Sequence, residues 1–347
     1  MQIDGRVIGP DTPPYIIAEL SANHGGSRQR ALEIVDAVAE AGADALKLQT
    51  YTADTMTIDA AGDDFLISEP ASLWHGRRLY ELYEQAHTPW AWHEEIFERA
   101  RQHGLAAFSA PFDTTAVDFL ESLGAPAHKI ASFESVDLTL IRHAAATGKP
   151  VIISTGLASA AEVDAAVSAA RDGGCTDLLV LKCTSAYPAP PTDSNLSTIP
   201  HLAALTGGPV GLSDHTQGIG AAVASIALGA VAIEKHVTLS RDDDTVDAAF
   251  SLEPNELAEL VRETRRAWEA VGQVHYGPTD AERDSLRLRR SLYIVEDVAA
   301  GQPLTPENVR SIRPGYGLPP ARIDDVMGLR VASDVSRGTP LSWELVR

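Results

Sequence analysis

Polar and ionisable side chains recur wherever a short apolar, β-prone run of this sequence ends. They are Glu19 with Asn23 and His24, Lys47 with Gln49, Ser109, Lys129 with Ser132 and Glu134, Ser154 with Thr155, Lys182 with Thr184 and Tyr187, Ser213 with His215, and Glu234 with His236. When parallel strands close into a barrel, their carboxyl ends meet at one face, and that face carries the function. We therefore expect a single polar active site.

His215 and His236 close the seventh and eighth of these runs. Both imidazoles can point into one cavity, at a spacing suited to a shared divalent ion. We predict a two-histidine metal site that keeps water ligands and suits Mn²⁺, with Mg²⁺ or Co²⁺ as alternatives. The competing interpretation is that either histidine is an ordinary hydrogen-bonded residue of the core or the rim.

Lys47 and Lys129 belong to the second and fourth runs, and the hydroxyls of Ser132, Ser154 and Ser213 lie at neighbouring ends. Ammonium and hydroxyl donors together bind phosphate and carboxylate groups. The set predicts a pocket for a small ligand with two or three negative charges. Two other interpretations stay open. Each lysine could pair with a carboxylate inside the barrel, or one lysine could form a Schiff base with a carbonyl substrate.

Cys175 and Cys183 are the only cysteines of the chain. They lie a few residues apart on a predicted loop and the next strand, so we expect buried free thiols rather than a structural disulfide. Cys183 could be interpreted as a nucleophile because it lies near a strand end. No base is evident beside it in the sequence, which favours the buried thiol.

Short β-rich runs alternate with longer amphipathic or alanine-rich stretches over residues 15–271, a pattern typical of repeated βα units. The eight predicted strands are 15–20, 45–48, 106–109, 128–130, 151–154, 178–182, 210–213 and 232–236. Predicted helices include 28–41, 88–103, 159–172, 218–228 and 256–271. Eight such units predict an α/β fold, a closed (β/α)8 TIM barrel. An open doubly wound sheet is the alternative, but ELSANHGG does not match a dinucleotide-binding fingerprint.

We assign residues 1–274 to the barrel, 275–287 to a linker and 288–347 to a small β-rich domain. Two stretches of that domain, VEDVAAGQPLTPENV and ASDVSRGTPLSWELV, resemble each other and predict internal pseudo-symmetry. Within the barrel, residues 50–87 lose the helical period and are rich in aromatic residues. We call them the inserted segment and expect them to shape the substrate site.

The formal net charge is −20 for 347 residues. Repulsion from polyanions argues against nucleic acid and anionic membranes as partners, so an anionic substrate needs a local basic pocket. The N-terminal stretch lacks the pattern of a signal peptide, and no run of about 18 apolar residues occurs. We expect a cytoplasmic protein.

Nine stretches taken together resemble the sialic acid synthase family, and most closely its branch that makes pseudaminic acid. They are IIAELSANHGG (16–26), ADALKLQTYTADTMT (43–57), LWHGRRLYELYEQAHTPW (73–90), HKIASFES (128–135), ISTGLAS (153–159), CTSAYPAP (183–190), GLSDHTQG (211–218), IEKHVTL (233–239) and FSLEP (250–254). The tail, RRSLYIVEDVAAGQPLTPENVRSIRPGYGL, resembles the antifreeze-like (SAF) domain of that family. The resemblance covers almost the whole chain.

The resemblance implies a role for each site residue. His215 and His236 would bind the metal, and phosphoenolpyruvate would be held by Lys47, Lys129, Ser132, Ser154 and Ser213. Glu19, Tyr187 and Asp247 would contact the acceptor sugar, and Glu134 would lie at the reacting centre. Arg313 would come from the other subunit of a domain-swapped homodimer. Glu19, Glu134, His215 and His236 are the expected catalytic residues.

The implied reaction joins phosphoenolpyruvate to 2,4-diacetamido-2,4,6-trideoxy-L-altrose, an N-acyl amino sugar, and gives pseudaminic acid and phosphate. Alternatives are an N-acetylneuraminate or legionaminate synthase using another such sugar, a Schiff-base aldolase, and a carbohydrate- or ice-binding module. The sequence departs from the family at two places. Ala110 stands where relatives carry a hydroxyl, and Thr245 with Val246 replaces a Gly-Pro pair before Asp247.

Overall fold

The computed structural model describes residues 1–70 and 72–347. The chain divides into two compact units, Met1–Gly272 and Gln273–Arg347. The strands described in the first unit are β1 (Gln2–Ile3), β2 (Arg6–Val7), β3 (Tyr15–Glu19), β4 (Ala45–Thr50), β5 (Ala106–Pro111), β6 (His128–Ile130), β7 (Val151–Ser154), β8 (Leu178–Cys183), β9 (Val210–Ser213) and β10 (Ala232–His236). The eight strands from β3 to β10 run parallel and close into a barrel in the order β10-β3-β4-β5-β6-β7-β8-β9.

Helices connect the barrel strands. They are α1 (Arg28–Glu40), α2 (Ala53–Met56), α3 (Leu79–Ala86), α4 (Trp90–Gln102), α5 (Thr114–Ser122), α6 (Leu138–Ala146), α7 (Ala160–Asp172), α8 (Thr198–Thr206), α9 (Gly220–Ala227) and α10 (Pro254–Val271). The predicted (β/α)8 barrel is confirmed. β4 and β5 run two residues further than predicted, because Gln49 and Thr50 continue the ladder opposite Ala110 and Pro111 although they are polar.

The barrel interior changes character along the strands. Side chains two apart on a strand face the same way. Ile17, Ala45 and Ala232 belong to a buried apolar cluster, and two residues further along the same strands stand Glu19, Lys47 and Glu234. The antiparallel β1–β2 hairpin contributes Ile3 to that cluster. The amino-terminal half of the barrel is therefore a packed core, and the carboxyl-terminal half is polar.

The outer face of the barrel packs against the helices. Alternate strand residues such as Ile16, Leu46 and Leu212 join helix residues such as Ile34 and Leu260 in one large buried cluster. Of the described helices, none is both long and apolar enough to cross a lipid bilayer.

The second unit is built around β11 (Ser291–Ile294) and β12 (Val309–Ile312), which pair antiparallel, and a short helix α11 (Ile323–Val326). Its two similar stretches meet at equivalent positions. Val298 and Val335 exchange two backbone hydrogen bonds of 2.9 Å. The preceding aspartates cap opposite turns reciprocally: Asp297 accepts from Arg337 N, and Asp334 accepts from Ala300 N, both at 2.7 Å. The pseudo-symmetry expected from the sequence is present as a local two-fold arrangement.

Because these caps are equivalent, we expect Asp297→Ala and Asp334→Ala to destabilise the second unit equally. Each loses one hydrogen bond to a backbone N–H, about 1 kcal/mol. Hydrogen–deuterium exchange in peptides from residues 291–347 would measure this within the full chain. The exposed Asp324→Ala is the control. Destabilisation by only one of the two aspartate variants would contradict the symmetry argument.

Candidate active site

A cavity of about 820 Å³ opens at the carboxyl-terminal face of the barrel. Most of the residues predicted for the site line it, and they are Glu19, Lys47, Lys129, Ser132, Glu134, Ser154, Tyr187, Ser213, His215, His236 and Asp247. Glu234, to which no role was assigned from the sequence, also lines it. Arg313 is exposed in the second unit, directly after β12.

Four buried charges form the floor of the cavity. Lys47 Nζ lies 3.0 Å from Glu19 Oε1 and 3.0 Å from Glu234 Oε1, and Lys129 Nζ lies 3.3 Å from the same Glu234 oxygen. The strand register brings them together, because Glu19 is opposite Lys47 across β3 and β4. Both lysines pair with carboxylates in the structure, an interpretation that the sequence left open.

The charges shift one another's pKa values. Burial by itself would raise the pKa of Glu19, but His236, Lys47 and Lys129 outweigh it, so the pKa lies well below its usual range. Burial would lower the pKa of Lys47, and the two carboxylates raise it above its usual value instead. For Lys129 burial prevails over Glu234, and its pKa is lowered. Of the two amines, Lys129 is therefore the one whose pKa favours loss of its proton.

The two histidines lie side by side, with ring centroids 5.3 Å apart. His215 Nδ1 lies 3.0 Å from the carbonyl oxygen of Thr184, so this nitrogen carries the proton and Nε2 keeps its lone pair. His236 Nε2 lies 3.2 Å from Glu19 Oε2, and its buried Nδ1 has no hydrogen-bond partner. Each ring is thus oriented through one nitrogen, and the lone pair of its other nitrogen is left for a metal ion. Across the described part of the chain, no three His, Cys, Asp or Glu side chains converge as ligands of one ion.

Hydroxyl donors surround the lysine pair. Ser154 Oγ is buried without a hydrogen-bond partner, and Ser213 Oγ donates to Glu234 Oε1 at 3.1 Å. Ser132 Oγ accepts from the backbone N–H of Gly156 at 3.1 Å. A Cβ at Gly156 would lie 2.7 Å from that Oγ and 2.1 Å from Ser185 Oγ, so a larger residue here would displace both serine hydroxyls. Gly156 and Ser185 are site residues that the sequence reasoning missed, although the glycine follows a predicted strand end.

Asp247 is held by the segment that follows β3. Ser21 Oγ donates to Asp247 Oδ2 in a short hydrogen bond, and Ser21 adopts a positive φ of 48°. Asn23 braces the same loop: its Nδ2 donates to Ser251 Oγ at 2.8 Å, and its Oδ1 accepts from Thr245 Oγ1 at 2.8 Å. Thr245, at a position where the sequence departs from the family that it resembles, therefore contributes a hydrogen bond that positions the loop. Ser21 was missed because nothing in the sequence marks its backbone conformation.

Cys183 and Cys175 are buried free thiols, as expected. Sequence reasoning found no base near Cys183, but Cys183 Sγ lies 3.8 Å from His215 Nδ1. Burial would raise the pKa of this thiol, and the contact with His215 outweighs it and lowers the pKa to about 7. The Nδ1 proton of His215 is already committed to the carbonyl of Thr184 at the shorter distance of 3.0 Å. Ser185 and Tyr187, further along the same loop, are the residues that line the cavity.

Glu134 has an unusual environment for a carboxyl group. It lies on the single turn Phe133–Val136 after β6, and its Oε2 is buried without a hydrogen-bond partner. Burial raises the pKa of Glu134 to about 7. At neutral pH the group can therefore give or take a proton, as a general acid or base must.

The raised pKa of Glu134 makes stability depend on pH. The native state keeps the proton up to about pH 7, whereas the unfolded chain releases it near pH 4.5. The stability that the neutral carboxyl contributes is complete below pH 4.5 and is lost as the pH rises through 7. Relative to the wild type, Glu134→Gln should therefore gain about 2–3 kcal/mol between pH 4.5 and pH 8.

Urea unfolding at both pH values would measure this gain, with the exposed Glu81→Gln as the control. The same difference between Glu134→Gln and the wild type at both pH values would show that the buried carboxyl does not titrate near neutrality.

Comparisons with known proteins identify the family to which this chain belongs. The sequence profile of the NeuB family matches residues 34–276, and that of the SAF domain matches residues 289–347. The pseudaminic acid synthase of Helicobacter pylori is 41% identical over 332 residues, which are 95% of this chain and 97% of that protein. The pseudaminic acid synthase of Campylobacter jejuni serotype O:23/36 is 42% identical over 334 residues, 95% of this chain and 96% of that protein.

Among solved structures, the N-acetylneuraminic acid synthetase of Leptospira borgpetersenii superposes with a TM-score of 0.73 at 32% identity. The match covers 82% of this chain and 94% of that chain. The family resemblance and the barrel with an SAF domain, both expected from the sequence, are confirmed.

Proposed function

Because this chain belongs to the NeuB family, we propose that it is a pseudaminic acid synthase, joining phosphoenolpyruvate to 2,4-diacetamido-2,4,6-trideoxy-L-altrose with release of phosphate. The observation that carries the proposal is the buried Lys47–Lys129 pair at the floor of a cavity large enough for both substrates. N-acetylneuraminate and legionaminate synthesis are the alternatives, because other N-acyl amino sugars would meet the same barrel residues.

Phosphoenolpyruvate would lie against the two lysines and the hydroxyls of Ser132, Ser154 and Ser213. Ammonium groups and a buried, unpartnered hydroxyl such as that of Ser154 suit phosphate and carboxylate oxygens. The lysines alone do not make the site cationic, because Glu19, Glu234 and Asp247 oppose them. A trianionic ligand therefore needs further positive charge in the cavity.

A divalent ion on His215 and His236 would supply that charge. The residues fit such an ion, since each ring keeps one nitrogen available while the other is held by Thr184 or Glu19. Neutral imidazoles with held outer nitrogens are the usual transition-metal ligands, and Mn²⁺ is the ion we favour. When bound, the ion would act as a Lewis acid on the sugar aldehyde.

In the proposed reaction, C3 of phosphoenolpyruvate bonds to the aldehyde carbon, whose oxygen takes up a proton, and water adds at C2. Phosphate then leaves with its bridging oxygen as the C2 hydroxyl loses its proton and becomes the ketone. Glu134 would take the proton of the added water, because its pKa near 7 and unpartnered Oε2 make it a base at neutral pH. Tyr187 and Asp247 would orient the sugar over the reacting carbon. Lys47 and Lys129 would stabilise the charge on the phosphate and carboxylate groups.

The direct test is phosphate release from phosphoenolpyruvate with a panel of N-acyl amino sugars. We expect release only when sugar and divalent ion are both present, and fastest with the 2,4-diacetamido-trideoxyhexose. No release with any sugar of the panel would sink the proposal. Release with N-acetylmannosamine alone would move it to the N-acetylneuraminate alternative.

We predict that His236→Ala abolishes metal-dependent turnover and leaves the fold intact. The loss should be about a hundredfold to a thousandfold, the range found when a group stabilising transition-state charge is removed. Steady-state phosphate release and circular dichroism check the two halves of the prediction. His201→Ala, an exposed histidine on α8, is the matched control. Full activity in His236→Ala would remove the metal assignment.

A Schiff-base aldolase is the second candidate, because burial lowers the pKa of Lys129 toward that of a nucleophilic amine. The contact of Lys129 with Glu234 opposes this role, since the carboxylate favours the ammonium form. Borohydride trapping of pyruvate on Lys129, together with indifference to chelators, would favour the aldolase.

The proposal includes a homodimer in which the second unit of one subunit covers the cavity of the other. Phe133 and Leu157, which line the cavity, leave 57% and 75% of their surface exposed, and such an apolar rim suits a cover. Arg313, exposed in the second unit, would reach the acyl-amino group of the sugar in the partner's cavity.

Subunit complementation tests this arrangement. Co-expressed Arg313→Ala and His236→Ala chains should regain about a quarter of wild-type activity, because half the dimers are mixed and each has one intact site. Differently tagged chains allow the mixed dimers to be purified and assayed for phosphate release. Activity no greater than the sum of the separate variants would place Arg313 in its own subunit's site.

A further inference from the structure

The cavity has two chemically different halves. The strand ends supply the salt-bridged charges of the floor, and the inserted segment supplies carbon surface. Met56, Ile67, Trp74 and Leu79 of that segment line the cavity and are only half-buried, so their surfaces are open to a ligand. A molecule that fills the cavity therefore meets charge at one end and an apolar wall at the other.

Within this apolar wall, Trp74 is held in place by hydrogen bonds. Its Nε1 donates to the carbonyl oxygen of Val246 at 3.3 Å, which ties the inserted segment to the loop that carries Asp247. On either side of Trp74, Ile67 N donates to Arg77 O at 2.9 Å and Gly76 N to Ile67 O at 2.8 Å. Because the indole N–H is already bonded to the backbone, Trp74 offers a ligand only its carbon surface.

The wall adjoins the place proposed for the sugar. The Trp74 ring centroid lies 5.9 Å from that of Tyr187, and the Tyr187 ring lies 4.4 Å from the His215 ring. A sugar whose aldehyde carbon faces the two histidines would therefore extend its far carbons toward Trp74. The inserted segment also lines the cavity with Glu69 and Ser72, which can bond the N–H and C=O of an acylamino group.

We infer that the inserted segment selects the acceptor sugar and that Trp74 is its specificity-determining residue. Its carbon surface packs against the methyl groups of a deoxy, diacylated amino sugar and disfavours hydroxyls at the same positions. The inference rests on the proposed synthase function. One methyl or methylene group in an apolar pocket is worth roughly a 10- to 200-fold preference, and a hydroxyl held there without a partner weakens binding further.

The test compares kcat/KM for three acceptors: the 2,4-diacetamido-trideoxyhexose, the same sugar with a hydroxyl at C6, and N-acetylmannosamine. We expect the wild type to prefer the deoxy sugar at least tenfold, and Trp74→Gln to lower that preference at least tenfold. The KM for phosphoenolpyruvate should stay within twofold. Trp268→Gln is the matched control, because this tryptophan on α10 also donates its Nε1 to a backbone carbonyl, that of Pro10.

A second variant distinguishes the carbon surface of Trp74 from its hydrogen bond to Val246. Trp74→Phe keeps carbon surface and loses the hydrogen bond, so it should retain most of the preference. Ile67→Thr, which also changes the wall, carries the same test if Trp74→Gln does not fold.

The outcomes distinguish this inference from the proposed function. An unchanged preference in folded Trp74→Gln, with the wild type active on the deoxy sugar, would overturn the inference alone. A wild type that prefers either hydroxylated sugar would overturn it as well. No turnover of any acceptor by the wild type would overturn the proposed function itself.

Discussion

Four buried charges, those of Glu19, Lys47, Lys129 and Glu234, hold the centre of this barrel. Moving each from water into the interior costs several kcal/mol, which only close opposite charges and hydrogen bonds offset. The contacts of 3.0–3.3 Å provide that compensation. Glu234 on β10 accepts from Lys47 on β4 and also contacts Lys129 on β6, so one carboxylate joins widely separated strands. The closed strand order and its register are therefore conditions for the charges to be buried at all.

The same charges orient the groups proposed to do the chemistry. Glu19 uses one carboxylate oxygen for Lys47 and the other for His236 Nε2. The side chain that neutralises Lys47 thus also holds the His236 ring through its Nε2. Asp247, held by Ser21, lies 3.9 Å from the other nitrogen of that ring. Lys47, His236 and the loop that carries Asp247 are in this way joined through one set of contacts.

Much of this could be predicted from the sequence, for a definite reason. Strand positions followed from apolar runs, and the active face followed from polar residues at their ends, because both are local patterns. Side chains that bond to each other but lie far apart along the chain leave no such local pattern. The bond between Lys47 and Glu234 spans 187 residues, and Glu234 was noted as a strand end without any role. The position of Trp74 was equally out of reach, since the inserted segment has no periodicity from which to place a side chain.

Several polar atoms in the cavity remain without partners. Glu134 Oε2, Ser154 Oγ, Glu234 Oε2 and His236 Nδ1 are buried, make no hydrogen bond and belong to residues that line it. Each such atom costs the folded protein about 1–3 kcal/mol. The amino-terminal half of the same barrel is instead filled mainly by apolar side chains, and Tyr15 OH is an exception there. Five further buried atoms of this kind lie elsewhere in the described part of the chain, but these four belong to the cavity proposed as the active site, where a bound ligand can supply the missing partners.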